Sequence, residues 1–272
     1  MMPGKPLPFT KMHGAGNDFV MLDHRDLDGT VVDADLVVRL CDRRTGVGAD
    51  GLILIAPGDS EGAAFRMVYF NADGGEAEMC GNGARCSVAF AHARGLAGDS
   101  CLFDTLPGVL EGTVHAPDDI AVSLPAYHDL VLALDLEDSP WPAHHTCNTG
   151  VPHLVLPVDD VDGVDVVRWG RDFRNRKIFG PAGTNVNWAS FDPETGEFLM
   201  RTYERGVEDE TLACGTGASA VAVVMSRLGR AGDTVPVRTR NGDLLIVTVD
   251  HETRSLVLRG PAITSFTGEV AS

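Results

Sequence analysis

At 272 residues, with 44% hydrophobic and 22% charged side chains, the chain has room for one large domain or two of roughly 130 residues and is neither low-complexity nor disordered. Its 39 acidic against 22 basic side chains leave a formal net charge of −17, which disfavours nucleic acid and anionic membrane as general partners. Six cysteines spread over this length exclude a disulfide scaffold and point to free thiols in a reducing compartment.

The segment from Met1 to Lys11 carries Pro3, Pro6 and Pro8 and no apolar run, so neither a secretory signal nor a membrane span is expected there, and a cytoplasmic location follows. Phe19 to Asp23 and Gly51 to Ala56 read as buried strands, with helical apolar spacing from Ala34 to Arg43 between them. Phe65 to Asn71 alternates as a strand, a turn follows through Gly75, and Cys80 to Arg94 reads as a helix opened by glycines and stopped at Gly95. Cys101 to Leu124 is expected as strand, turn, strand, and Pro125 to Pro142 as a connector marking a domain boundary.

The second half repeats the pattern. Leu154 to Pro157 is a strand, Val164 to Phe173 a helix, and Gly183 to Ala189 a loop and strand. Phe198 to Glu204 is a further strand, Gly206 to Glu210 a turn, and Cys214 to Leu228 a helix stopped at Gly229. Met79-Cys-Gly-Asn-Gly-Ala84 aligns without a gap on Ala213-Cys-Gly-Thr-Gly-Ala218. Two copies of one unit imply a pseudo-symmetric two-domain protein with its site expected between the halves.

A cysteine at a helix start has a reason to be reactive, because unpaired N–H groups and aligned peptide dipoles favour a thiolate and lower its pKa. Gly81 and Gly83, like Gly215 and Gly217, clear side chains from that first turn, so a small carboxylate can approach the backbone donors. Two such thiols are what inversion at a carbon needs: one removes a proton from one face while the other delivers a proton to the opposite face. A single copy would read equally as a small residue in a tight turn; the matched pair favours chemistry. Cys41, Cys86, Cys101 and Cys147 lack repeat partners and read as packing residues. Zinc is not expected, because no second Cys or His pair completes a ligand set, and neither glycine loop fits the phosphate or dinucleotide fingerprints.

On Lys11-Met-His-Gly-Ala-Gly-Asn-Asp-Phe19, Phe70 to Arg85, Gly183-Thr-Asn-Val-Asn187, Tyr203-Glu-Arg-Gly206 and Leu212 to Ala218, the chain resembles the diaminopimelate epimerases from Phe9 nearly to its end. The resemblance implies a mixed α/β fold of two pseudo-symmetric halves, each a curled mixed sheet around a central helix. The first half would be residues 1–124 completed by 262–272, the second 125–261. It implies interconversion of LL- and meso-2,6-diaminopimelate, in lysine and peptidoglycan precursor synthesis, without pyridoxal phosphate, metal or other cofactor.

By position, Cys80 and Cys214 would be base and acid, and Gly81, Asn82, Gly215 and Thr216 would hold the reacting carboxylate. Asn17, Asn71, Asn185, Glu204 and Arg205 would make the remaining contacts, a guanidinium being the natural partner of a distal carboxylate. Glu204 is placed with the catalytic group, as is His153, which would tune the thiols. Taken alone, His153 reads equally as a packing or capping residue. The expected partner is the small-molecule substrate, with no nucleic acid and no membrane, and a homodimer is left open. Two positions depart from some family members: Val151 stands for an Asn and Gly51 for a Gln, which changes how the distal end is held, with Asn148 or a water as substitutes. The alternatives are a two-thiol racemase for another amino acid such as histidine, a relative working through a carboxylate base, and a non-enzymatic thiol or ligand-binding protein.

Overall fold

The computed structural model describes residues 6–77 and 80–271. Met79 of the repeat and Met1 to Lys5 of the N-terminal segment lie outside the described residues. The chain divides into two compact units, the first running to Val122 and resuming at Gly260, the second Ser123–Arg259.

In the first unit the strands are β1 (Leu7–Gly14), β2 (Asn17–Asp23), β3 (Gly51–Ala56), β4 (Ala63–Asn71), β5 (Ser100–Thr105), β6 (Gly108–Ala116) and β7 (Asp119–Leu124). Helix α1 (Ala34–Cys41) connects β2 to β3, and α2 (Gly81–Ala93) connects β4 to β5; both crossovers join parallel strands. The other neighbours in this sheet are antiparallel.

The second unit contains β8 (His128–Val131), β9 (His145–Asn148), β10 (Pro152–Pro157), α3 (Val166–Arg174), β11 (Asn185–Asp192), β12 (Glu197–Glu204) and β13 (Asp209–Thr211). It continues with α4 (Gly215–Arg227), β14 (Thr234–Arg238), β15 (Leu244–Val249) and β16 (Leu256–Pro261). Here α3 crosses from β10 to parallel β11, and α4 from β12 to parallel β14. Each unit is therefore a curled mixed sheet of the same connectivity. Strand β17 (Ile263–Val270) then pairs antiparallel with β1.

Helices α2 and α4 are the centre of each unit. Nearly all residues of both are buried, α2 packing on β1–β4 and β6, and α4 on β9–β11, β14 and β15. Helices surrounded by sheet need small side chains, which explains their Gly, Ala and Ser content and the lack of a polar face. Both end alike: the N–H of Leu96 reaches Ala91 O at 2.8 Å and that of Arg230 reaches Met225 O at 2.9 Å, around Gly95 and Gly229 at φ of 68° and 69°. Helices α1 and α3 instead show one apolar face, with Leu36, Val37 and Leu40 in the first core and Val166 and Phe173 in the second.

The structure corrects several expectations. Cys101 to Leu124 holds three strands rather than two, because Pro117 and Asp118 make a second turn. The expected connector carries β8, and the turn after Gly206 carries β13. Leu7 to Lys11, for which sequence reading assigned no element, lies in β1 between β2 and β17, its pairing supplied by distant chain. Among the described residues no helix is long and apolar enough to cross a membrane.

Candidate active site

In the first unit, Cys80 is the N-cap of α2, with extended backbone at φ −140° and ψ 112°. Its Sγ accepts the Gly83 N–H at 3.4 Å, doing what a Ser or Asp hydroxyl or carboxylate does at an ordinary cap, and donates to Asn17 Oδ1 at 3.4 Å. Asn17 opens β2 after a tight turn in which Ala15 and Gly16 both have positive φ. Asp50, an obligate acceptor, takes the Asn17 Nδ2–H at 2.8 Å and so turns Oδ1 toward the sulfur, where Asn82 Nδ2 also donates at 3.3 Å. Asp50 is in turn held by Arg43, which clamps Asp18 as well, and Lys11 pairs with Asp18 at 2.7 Å. The first turn of α2 thus presents its Gly81 and Asn82 backbone donors beside the sulfur.

Asn71 ends β4, and its Oδ1 accepts the Tyr69 hydroxyl at 2.9 Å. The Tyr69 ring covers Gly51: a Cβ there would meet the ring at 2.7 Å and Phe70 O at 2.5 Å. Gly51 is therefore a position the neighbouring strand has filled, which sequence reading had treated only as a missing polar contact.

In the second unit, Cys214 caps α4 in the same way, its Sγ accepting the Gly217 N–H at 3.3 Å and lying 3.5 Å from Thr216 Oγ1. Its surroundings are otherwise unlike those of Cys80. The Glu204 carboxylate at the end of β12 places its charge near the Cys214 thiol and is steadied by Thr211 Oγ1–H at 2.8 Å. Burial pushes the Cys214 thiol well above its ordinary range, Glu204 raises it further, and the Thr216 hydroxyl and Gly217 N–H only partly offset this. The expectation of a thiolate favoured by the helix start is corrected for Cys214: in the free protein it is a thiol with a carboxylate waiting beside it.

Thr149 Oγ1 donates to Thr216 O at 2.8 Å, tying the β9–β10 turn to the first turn of α4. That turn contains Val151, and Asn148 Oδ1 is used within it to accept the Gly150 N–H. Asn185 opens β11 and accepts the Arg205 backbone N–H at 2.8 Å, fixing the chain just after Glu204. His153 faces Asn185 across the parallel β10–β11 pair and is 1% exposed. Burial, with the Arg205 charge acting in the same direction, pushes its imidazole down to about 3. The structure thus assembles Cys80, Asn17 and Asn82 in one unit, and Cys214, Thr216, Glu204, Asn185, Arg205 and His153 in the other. Sequence reading missed Asn187 and Tyr69; only Asn187 had a signal, as the last residue of Gly183-Thr-Asn-Val-Asn187.

Burial pushes Cys41 to about 11 and Cys86 and Cys147 to about 12, and raises Cys101. Among the described residues no three His, Cys, Asp or Glu side chains gather into a set that could hold a metal ion.

A family model described as diaminopimelate epimerase matches residues 9–126 and 145–265. A diaminopimelate epimerase of Aquifex aeolicus is 40% identical over 97% of this chain and 98% of its own length, and one of Archaeoglobus fulgidus is 42% identical over 88% and 89%. Among solved structures, a hydroxyproline epimerase from Agrobacterium vitis superposes with a TM-score of 0.75 at 16% identity, covering 99% of this chain and 94% of that one. A PhzF-family protein of Bacillus anthracis gives 0.70 at 18% identity, covering 98% and 100%. These last two likenesses speak for the fold alone.

Proposed function

Because the chain belongs to the diaminopimelate epimerase family, we infer that Cys80 and Cys214 are the acid and base of its reaction. The chain is an amino-acid epimerase that interconverts LL- and meso-2,6-diaminopimelate, a step of lysine and peptidoglycan precursor synthesis. The observation that carries the residue assignment is the repeated cap: each unit has one sulfur at the N-terminus of its central buried helix.

One thiolate takes the α-proton and becomes a thiol; the other thiol gives its proton to the opposite face of the carbon and becomes the thiolate. No net proton is consumed, and the roles exchange in the reverse direction. Negative charge spreading onto the α-carboxylate is held by the first-turn N–H groups at Gly81, Asn82, Gly215 and Thr216. Glu204 supports this reading as the acceptor for the Cys214 proton when Cys214 is the base. Asn17, Asn71, Asn185 and Arg205 are proposed to hold the rest of the substrate, Arg205 as counter-ion of a carboxylate. We place the reaction in the cytoplasm with no nucleic-acid partner, a reading supported by the charge of −17.

The test is epimerisation of LL- and meso-diaminopimelate in D₂O, followed by NMR. Cys80→Ala and Cys214→Ala should each abolish inversion, since one thiol can exchange a proton but cannot deliver it to the other face. Inversion surviving in either variant refutes the two-thiol assignment, and α-deuterium entering another amino acid but not diaminopimelate refutes the substrate.

A further inference from the structure

Asn187 lies on β11, fully buried, with no part in the contacts assigned above. Its Nδ2 stands 3.0 Å from Leu154 O and 3.1 Å from His153 Nδ1, and its Oδ1 accepts the Thr202 hydroxyl at 3.0 Å. A backbone carbonyl only accepts, so the nitrogen of the Asn187 amide must be the atom facing Leu154 O. The same nitrogen faces His153 Nδ1, which must therefore be the acceptor of that bond. A neutral imidazole carries one proton, and it is left on Nε2.

That Nε2–H is buried and has no hydrogen-bond partner among the described residues. An unmatched buried donor is costly, on the order of 1–3 kcal/mol, and such groups in native proteins tend to mark a place for something that arrives later. The neighbourhood indicates the sign of the missing group: the Arg205 charge acts on the same ring, and Asn185, paired with His153 across the sheet, fixes the Arg205 backbone. A positive charge beside the ring suits an anion. Asn187 Oδ1 also fills the space where Gly217, in the first turn of α4, would carry a side chain, so the residue that orients the ring packs directly on the Cys214 turn.

We propose that Asn187 is a positioning residue that locks His153 as the Nε2–H tautomer, so that His153 serves as a neutral hydrogen-bond donor to a carboxylate of the bound amino acid and not as a proton-accepting base. For the ring to act as a base at Nε2, its proton would have to reside on Nδ1, against the Asn187 NH₂ group. The inference rests on the function proposed above and on the gathering of His153 with Cys214, Glu204 and Arg205 in the second unit.

The direct readout is ¹⁵N NMR of protein labelled at histidine, at pH 7. The expected pattern for His153 is a protonated Nε2 and an unprotonated Nδ1 in the free protein, with the Hε2 resonance moving downfield and exchanging more slowly on addition of meso-diaminopimelate. A proton on Nδ1 overturns the proposal, and so does an Hε2 resonance that the amino acid leaves unchanged. The kinetic arm compares His153→Gln, which keeps an N–H donor near that of Nε2 but is no base, with His153→Ala. His153→Ala should lower kcat/KM by on the order of 10²-fold, and His153→Gln should recover at least tenfold of that; equal losses would make the ring a base. Asn187→Asp, whose carboxylate accepts where the amide donated, should move the proton to Nδ1 and reduce kcat with the fold intact by circular dichroism. The tautomer is read without substrate, so failure of the substrate assignment leaves that result standing, and a wrong tautomer leaves the substrate assignment untouched.

Discussion

Burial first, and Glu204 second, hold Cys214 as a thiol at rest. Burial and the adjacent carboxylate both favour the thiol, so the charge at residue 204 is a handle on its reactivity. Glu204→Gln removes a negative charge, and the Cys214 pKa should fall. Alkylation of Cys214 by iodoacetamide, followed by mass spectrometry across pH, should shift to lower pH, each unit being tenfold in thiolate. Epimerisation should meanwhile drop on the order of 10²-fold through loss of the proton acceptor. An unshifted alkylation profile would remove Glu204 from this role. Tyr69 acts at a second point. Its hydroxyl holds Asn71, so Tyr69→Phe should raise KM several-fold, in line with about 1 kcal/mol for one hydrogen bond, with kcat little changed in steady-state assays. Gly51→Gln, which restores the side chain of some relatives, should destabilise by about 1–3 kcal/mol in urea melts, because the space belongs to Tyr69.

The two capped helices are alike in sequence but not in what their glycines touch. A methyl on Gly83 would press on the ends of Ile53 and Met67, at 2.9 and 3.2 Å, which are flexible side-chain tips. A methyl on Gly217 would collide with the Asn187 amide, whose three hydrogen bonds leave it nowhere to go. Gly83→Ala should therefore cost under about 1.5 kcal/mol, and Gly217→Ala about 1–3 kcal/mol together with a larger loss of activity. Equal effects on the urea midpoint and on kcat in the two variants would deny the asymmetry.

At the scale of the molecule, buried histidines and clamped carboxylates set the response to acid. His153 has a folded pKa of about 3 against about 6.5 unfolded, so below pH 6.5 the unfolded chain binds a proton that the folded one does not. Stability therefore falls as pH drops, by about 1.4 kcal/mol per unit from this residue between pH 6.5 and 3. Burial also lowers His144, His145 and His251, with the same sign. Asp23, at the end of β2, works lower: burial opposes its charge, but Arg25 and Arg94 hold its carboxyl below the ordinary range. Its contribution is complete above about pH 4 and is lost as pH falls through the folded value. Urea midpoints at pH 7.5 and 5.0 should differ, and His153→Gln should narrow that difference by about 2 kcal/mol; an unchanged difference would mean that the ring protonates freely in the folded state.

Local chemistry determined a good deal of this protein. The glycine stops at Gly95 and Gly229, the small-residue helices behind Cys80 and Cys214, the strand Gly51–Ala56 and the part of β2 from residue 19 to 23 follow from patterns that neighbouring residues satisfy among themselves. The repeated Cys-Gly-x-Gly pair carried the chemistry for the same reason, since capping depends on the next three residues. What the fold alone decided depends on partners far along the chain. Strand β1 needs β17, about 250 residues away, and Gly51 is explained only by the ring that β4 lays over it. Two cysteines in matching sequence settings also come to differ: Asp50 turns an Asn17 amide toward one, while Glu204 sets a carboxylate against the other. A sequence repeat copies the backbone cap, but the charge around each sulfur comes from side chains on separate strands, which only tertiary packing brings within hydrogen-bond reach.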